Sequence, residues 1–376
     1  MIIDADAHLY EQRSMWAQYI DPSLRHLALE IRDDELGYPW LVHDGRRIEV
    51  LGIHNPGDTA QSGAFRDRLR KGLPSDTAYD EMPEDFWSPT ARLERLDAFG
   101  IDESFLLPNC GIMWEKALGS DLAATTANMT AWNRWAAEVA EDGGGRLHPV
   151  GHITLRDPSW LEAEITRLAG DGIRLAMLSP ALVDGRRLSH PDHESLWAAL
   201  ADAGIGVVFH IAQYPMPFDD AWNEGDPDWS NPVLSSVFMW TAPAIAIADL
   251  AVRGVLARHP TLRLGVVELM SAWFPQFLAM LDGGYSFHAK FNGIPLADLD
   301  RPPSAYVRDQ VRVSSFPFEA PGRLARHAGD VFMFGSDYPH PEGLARPVDE
   351  FTSALGASAD EAPAFFAGNA AWLLGR

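Results

Sequence analysis

From about residue 100 onward, the chain alternates short apolar runs with longer stretches of helical periodicity. Together with one run at the start, eight segments read as strands: IIDAD (2–6), SFLLP (104–108), PVGHIT (149–154), LAMLS (175–179), GVVFH (206–210), LGVVE (264–268), VRVSS (311–315) and VFMFGS (331–336). Most are apolar without interruption, as a parallel strand covered on both faces must be; a strand with one wet face would alternate. Between them, PSWLEAEITRLAGDG and HESLWAALADAG place apolar residues at helical spacing. Asp157-Pro158-Ser159 and Pro191-Asp192 supply start signals, and Gly172 and Gly204 supply stops. Strand then helix, repeated eight times, predicts an α/β fold of the (β/α)8 barrel type. No linker of suitable composition divides the chain, so one domain over residues 1–376 is expected.

Two segments break the alternation. Residues from about 12 to 90 are polar, rich in Gly, Pro and Asp, and contain one hairpin pattern, YPWLVHDGRRIEVLG, with Asp44-Gly45 as its turn. This reads as an insertion after the first strand. The second segment, YPMPFDDAWNEGDPDWSNP, follows the strand that ends at His210 and is too long for an ordinary strand-to-helix loop. Its Tyr214, Phe218 and Trp222 suit a lid or substrate wall.

Composition narrows the partners. With 47% hydrophobic and 22% charged residues, the chain can bury a large core. A net charge of -23 repels phosphates and so argues against nucleic acid or an anionic membrane as a partner. It does not demand a cationic substrate, because a bound metal reverses the local sign. Cys110 is the only cysteine, which excludes an intrachain disulfide and a thiolate metal cluster. The chain does not open on a basic segment followed by an apolar leader, and no run approaches 18 continuous apolar residues. The expected location is cytoplasmic.

The strand ends carry the chemistry. Asp6 and His8 lie at the end of the first strand, His210 at the end of the fifth and Glu268 at the end of the sixth. Asp337 follows the eighth, in FGSDYPHPEG. In a parallel barrel these ends open on one face. Asp6 and His8, two apart on an extended strand, point to the same side. Singly, His210 reads as a core histidine, Asp6 as a cap and Asp337 as a turn former. A charged Glu268 ending a buried strand is costly unless paired or metal-bound. The coincidence of all these positions points to a site for zinc, manganese or iron, whose ligands are imidazole nitrogen and carboxylate oxygen.

The D-x-H at the first strand end, the isolated fifth-strand histidine and the GSDYPHPEG segment resemble the amidohydrolase-2 branch of the amidohydrolase superfamily. RLERLDAFGID, ARHPTLRLGVVELMSAWFPQFLAMLD and GNAAWLLG support the likeness. That branch includes aminocarboxymuconate-semialdehyde, resorcylate and carboxyvanillate decarboxylases. The resemblance implies one divalent ion held by Asp6, His8, His210 and Asp337; from the residues themselves, Asp337, Glu268 and His210 are the expected catalytic set. The chain departs from the branch in two places. Asp-Ala-His stands where many members have H-x-H, and Glu268 stands where decarboxylating members usually carry a histidine.

Three chemistries follow from the resemblance: hydrolysis with Asp337 or Glu268 taking a proton, non-oxidative decarboxylation, and dioxygen activation at a two-metal centre. The last needs a second metal position, for which Glu11, Glu268 and His340 are the candidates. A metal-bearing, non-catalytic partner subunit is a further reading. The expected substrate is a small carboxylate-bearing or aromatic molecule, contacted by Tyr214, Phe218, Trp222 and the guanidinium of Arg174. Pairing as a homodimer, or as a heteromer with a related barrel, is expected from the same likeness.

Overall fold

In the computed structural model, which describes residues 1–211, 216–225 and 233–376, the first expected strand is broken in two. The strands in chain order are β1 (Ile3–Asp4), β2 (His8–Leu9), β3 (Glu30–Asp33), β4 (Pro39–His43), β5 (Arg46–Val50), β6 (Glu103–Pro108), β7 (Leu147–His152), β8 (Leu175–Met177), β9 (Gly206–His210), β10 (Leu264–Val267), β11 (Val311–Ser314) and β12 (Phe332–Met333). Both β1 and β2 pair in parallel with β6, through Ile3 with Glu103 and His8 with Leu107. The break falls at Asp6, whose N–H donates to its neighbour Asp4 Oδ1 at 3.1 Å instead of to a strand. Its carbonyl accepts from Ser336 N and Asp337 N at 3.1 and 2.6 Å.

The parallel order β1-β6-β7-β8-β9-β10-β11-β12 is closed across its ends. Ala5 N donates to Phe334 O at 3.0 Å and His8 N to Tyr338 O at 2.7 Å. The result is the expected (β/α)8 barrel. Ile3, Phe105, Val150, Leu175, Val208, Val267 and Met333 fill its axis. The helix Asn369–Leu373 plugs the floor. A Cβ on Gly265 would stand 2.7 Å from Leu373 Cδ2, and one on Gly206 would stand 2.8 Å from Leu373 O. The two glycines are therefore what lets the plug approach.

Arg312 and Arg174 both belong to this floor. Arg312 Nε donates to Asn369 Oδ1 at 2.8 Å, and its guanidinium lies 4.0 Å over the Trp372 ring. Arg174 sits at the amino end of β8 in a groove with Leu374 and Arg376. The expectation that Arg174 contacts substrate is therefore corrected: the strand ends with the candidate chemistry are at the opposite mouth.

The insertion folds as a three-stranded antiparallel sheet, β3-β4-β5, followed by the helix Thr59–Arg70. Asp44 and Gly45 form the β4–β5 turn with φ of 47° and 71°, the double left-handed conformation of a tight hairpin. Phe65 on the helix packs against Tyr38 and Val50 of the sheet. After β9, residues Val233–Val252 are long and apolar enough by composition to span a bilayer, with a third of them buried against the barrel. Within that stretch Asp249 accepts from Ser189 N and Oγ, both at 2.8 Å, which ties it to the ring of helices.

The floor plug supplies a stability prediction. Leu373→Ala removes a fully buried side chain packed against Gly206 and Gly265. It should cost about 2–5 kcal/mol, read as a lower denaturant midpoint. An unchanged midpoint would show that the plug does not hold the barrel.

Candidate metal centre

Each strand end delivers its side chain through a specific backbone device. Asp4, fully buried, accepts from Asp6 N and from Ser336 N and Oγ, so one carboxylate fixes both the break at Asp6 and the turn before Asp337. Burial pushes the Asp4 carboxyl up to about 7 against those hydrogen bonds. Glu268 and Asp337 both adopt left-handed backbone, each with φ of 56°. That conformation is uncommon for residues with a Cβ and persists where surrounding contacts enforce it. Here Glu268 N donates to Ser314 Oγ at 3.0 Å and Asp337 N to Asp6 O at 2.6 Å.

The histidine tautomers follow from their outer partners. His8 Nδ1 faces Pro108 O at 3.4 Å and His210 Nδ1 faces Ile211 O at 2.7 Å. A carbonyl only accepts, so each Nδ1 carries the proton and each Nε2 turns a lone pair into the site. His340 lies against Asn109 Oδ1 through Nε2 at 3.0 Å, and its ring stacks on His8 with centroids 3.8 Å apart.

These groups converge. His8 Nε2 lies 3.7 Å from Asp6 Oδ1, 3.9 Å from Glu268 Oε2 and 3.5 Å from Asp337 Oδ1. His210 Nε2 lies 3.7 Å from Asp6 Oδ1 and 3.0 Å from Glu268 Oε2, the latter poorly aligned for a hydrogen bond. His340 Nδ1 is 2.9 Å from Asp337 Oδ1. Among the described residues, Asp6 Oδ1, His8 Nε2, His210 Nε2, Glu268 Oε2, both Asp337 oxygens and His340 Nδ1 are buried without a hydrogen-bond partner. Buried polar atoms are almost always paired, so seven bare ones in one place signal a ligand.

The electrostatics agree. Burial, with His340 and His210 adding to it, holds His8 well below its ordinary value. At His210 burial opposes the charge, but Asp6 and Glu268 outweigh it and push it up to about 10. Burial, then the Glu268 and Asp6 carboxylates, hold Asp337 well above the usual range, and burial raises Glu268. A divalent cation at this point would neutralise the carboxylates and bind the imidazole lone pairs together.

The donor atoms fall into two sets whose members lie within 4.8 Å of one another: Asp6, His8, His210 and Glu268, and His8, Glu268, Asp337 and His340. Glu268 thus joins the first set, where Asp337 was expected, and Asp337 joins the second. Glu11 is in neither. Its carboxylate accepts from Cys110 N at 2.9 and 3.1 Å and from Gly111 N at 3.2 Å, tying the first-strand loop to the start of the helix Gly111–Trp114. The expected part for Glu11 in a second metal position is corrected accordingly. Of the expected lid, Tyr214 lies outside the described residues. Phe218 packs on Phe238 with centroids 6.3 Å apart, and Trp222 is 72% exposed.

A cavity of about 390 Å³ opens above the cluster, and neither Phe218 nor Trp222 lines it. Glu268 and His340 form its base, Ile112, Met113 and Ile211 come from the barrel, and Val50, Leu51, His54, Phe65 and Arg66 come from the insertion. Among the described residues, the insertion therefore supplies much of the cavity wall. Sequence reasoning also passed over Asn109 and Arg92. Arg92 is wholly buried, donates to Asp85 O and His8 O at 2.7 Å each, and lies 5.1 Å from the Tyr338 ring centroid. It locks the backbone of His8. The only sequence signal was an arginine on the inward face of the helix Pro89–Phe99.

Bare imidazole and carboxylate donors at the carboxyl mouth of a (β/α)8 barrel define a metal-dependent enzyme of the hydrolase or lyase type. The chain belongs to the amidohydrolase family: the family described as Amidohydrolase matches residues 3–376. An amidohydrolase from Mycobacterium avium subsp. paratuberculosis K-10 is similar in structure, with a TM-score of 0.80, 27% identity, and coverage of 99% of this chain and 98% of that one. A 5-carboxyvanillate decarboxylase from Novosphingobium aromaticivorans DSM 12444, complexed with manganese and a nitrobenzoic acid, has a TM-score of 0.64 and 19% identity over 86% of this chain and 97% of that one. A dihydroxybenzoic acid decarboxylase from Polaromonas sp. JS666, with manganese and 2-nitroresorcinol, has a TM-score of 0.62 and 13% identity over 100% and 96%. No curated protein matches the chain by sequence.

Two measurements test this geometry. His210→Ala removes a donor from the first set. It should abolish metal retention, read by elemental analysis, while the circular dichroism of the barrel is kept; full metal content would exclude His210 as a ligand. The Glu11 carboxyl, raised by burial from 4.5 to about 7, binds its proton more tightly in the folded state. Its contribution to stability is therefore present below about pH 4.5 and lost as pH rises through 7. In Glu11→Gln the fall in stability across that window should flatten by an amount on the order of 1–3 kcal/mol, and an unchanged slope would contradict the assignment.

Proposed function

We propose that the protein is a metal-dependent hydrolase of a small aromatic or carboxylate-bearing molecule. The carrying observation is that, among the described residues, both oxygens of Asp337 are buried and bare beside the bare imidazole nitrogens, under a cavity lined by both apolar and polar side chains, Glu49 and Glu342 among them. Asp6, His8, His210 and Glu268 would hold the ion. When bound, it supplies the positive charge that polarises the scissile carbonyl and acidifies the attacking water. Zinc, manganese and iron all suit the mixed nitrogen and oxygen donors.

The side chains do the rest. One Asp337 oxygen faces His8 and His340, and the other is available to accept the proton that water loses as it adds to the carbonyl carbon. The same oxygen returns that proton to the leaving group, so the carboxylate is regenerated. Phe65, Val50, Leu51, Ile112 and Met113 give the substrate ring an apolar slot, while Arg66, His54 and Tyr10 offer polar contacts at its walls. A cytoplasmic location and pairing with a second barrel belong to the same reading.

Decarboxylation is the second reading. What favours it is the likeness to two manganese-bearing decarboxylases of aromatic acids. There a protonated Asp337 would give its proton to the ring carbon that keeps the electron pair as the bond to CO₂ breaks.

The readings separate on manganese- and zinc-loaded enzyme offered aryl esters, lactones and N-acyl compounds alongside hydroxylated benzoic acids. Hydrolysis without CO₂ release supports the proposal. CO₂ release, with solvent deuterium at the vacated ring carbon and no hydrolysis, overturns it in favour of the lyase. Asp337→Asn should lower kcat by about 10²–10⁴-fold with the first ion retained. Unimpaired turnover would remove Asp337 from the proton path.

A further inference from the structure

We infer that the barrel mouth binds two divalent ions, with Glu268 shared between them and Asp337 and His340 completing the second position. This rests on the metal-dependent reading above and extends it. Two donors bonded to one ion at about 2.0–2.3 Å lie within roughly 4.5 Å of each other. The six side chains do not form one such group. They form two, joined through His8 and Glu268. One ion among Asp6, His8, His210 and Glu268 leaves the Asp337 and His340 atoms beyond the first set.

Those atoms have an independent need of a cation. Asn109 Nδ2 points at Cys110 Sγ, 3.7 Å away, which turns its Oδ1 toward His340 Nε2 at 3.0 Å. An amide oxygen only accepts, so Nε2 carries the ring proton and Nδ1 presents a lone pair. That lone pair stands 2.9 Å from Asp337 Oδ1, and both atoms are buried without a hydrogen-bond partner among the described residues. Two acceptors facing each other at that distance in a dry site repel unless a positive charge lies between or beside them. His8 and Glu268 close the same set from below. Charge counting agrees: Asp6, Glu268 and Asp337 carry three negative charges against neutral imidazoles, so one divalent ion leaves the cluster anionic and two leave it cationic, suited to a substrate carboxylate.

The test is metal stoichiometry on the intact protein, using Mn(II) as the probe. The purified chain, stripped with chelator and reloaded, should bind two Mn(II) per chain and give the broadened paramagnetic resonance of an exchange-coupled pair. His340→Gln should bind one and give the simple hyperfine pattern of an isolated ion. Asn109→Leu, which leaves the His340 ligand in place but frees its tautomer, should weaken the second ion about 10–100-fold and spare the first. One ion per chain in the wild type overturns this inference and leaves the metal-dependent reading standing. Two ions retained in His340→Gln overturns it as well, by placing the second ion elsewhere. No bound Mn(II), zinc or iron in the wild type overturns both.

Discussion

Three carboxylates and three imidazoles, all buried, meet at one mouth of the barrel with their lone pairs directed at each other. Left as they are, such groups repel and carry an uncompensated desolvation cost. Much of the surrounding structure is arranged to keep them there. The break after β1, the left-handed backbone at Glu268 and Asp337, the buried Asp4 carboxylate and the Arg92 guanidinium each hold one member in place. A fold tolerates this concentration of strain and burial where a cation offsets it, and the rest of the site is best understood from that balance.

Layered around the cluster, outer contacts decide what each donor can do. Backbone carbonyls of Pro108 and Ile211 set the tautomers of His8 and His210, and Asn109 sets that of His340. Such partners fix both the direction of a lone pair and its basicity. Glu11 belongs to a different layer. Its carboxylate serves two backbone N–H groups at the start of a short helix and so shapes the wall of the cavity without entering the cluster. The insertion closes the cavity from above, so the barrel supplies the donor cluster and the segment between β2 and β6 supplies much of the cavity wall over it.

The barrel was legible because continuous apolar runs and helical periodicity are local signals, and their alternation admits few topologies. Gly206–His210 is reproduced to the residue, and the Asp44-Gly45 turn falls where its conformational preference puts it. The break at Asp6 was not legible, because it depends on a carboxylate two residues earlier and on a turn more than three hundred residues away. Convergence at the mouth could be read from strand-end positions. The partition of donors could not, since it turns on backbone dihedrals at Glu268 and Asp337 that leave no mark in composition. Arg174 misled because an arginine beside a strand looks alike at either end, and only pairing shows which end is the floor. Trp222 misled because an aromatic residue in a long loop reads as a wall whether it faces the cavity or the solvent.

Anomalous diffraction from crystals of the manganese-loaded protein, collected at the manganese edge, tests the central claim most directly. The account predicts a peak within bonding distance of Asp6, His8, His210 and Glu268 at the carboxyl mouth of the barrel. Fully loaded protein whose anomalous peaks all lie away from those four side chains would contradict it.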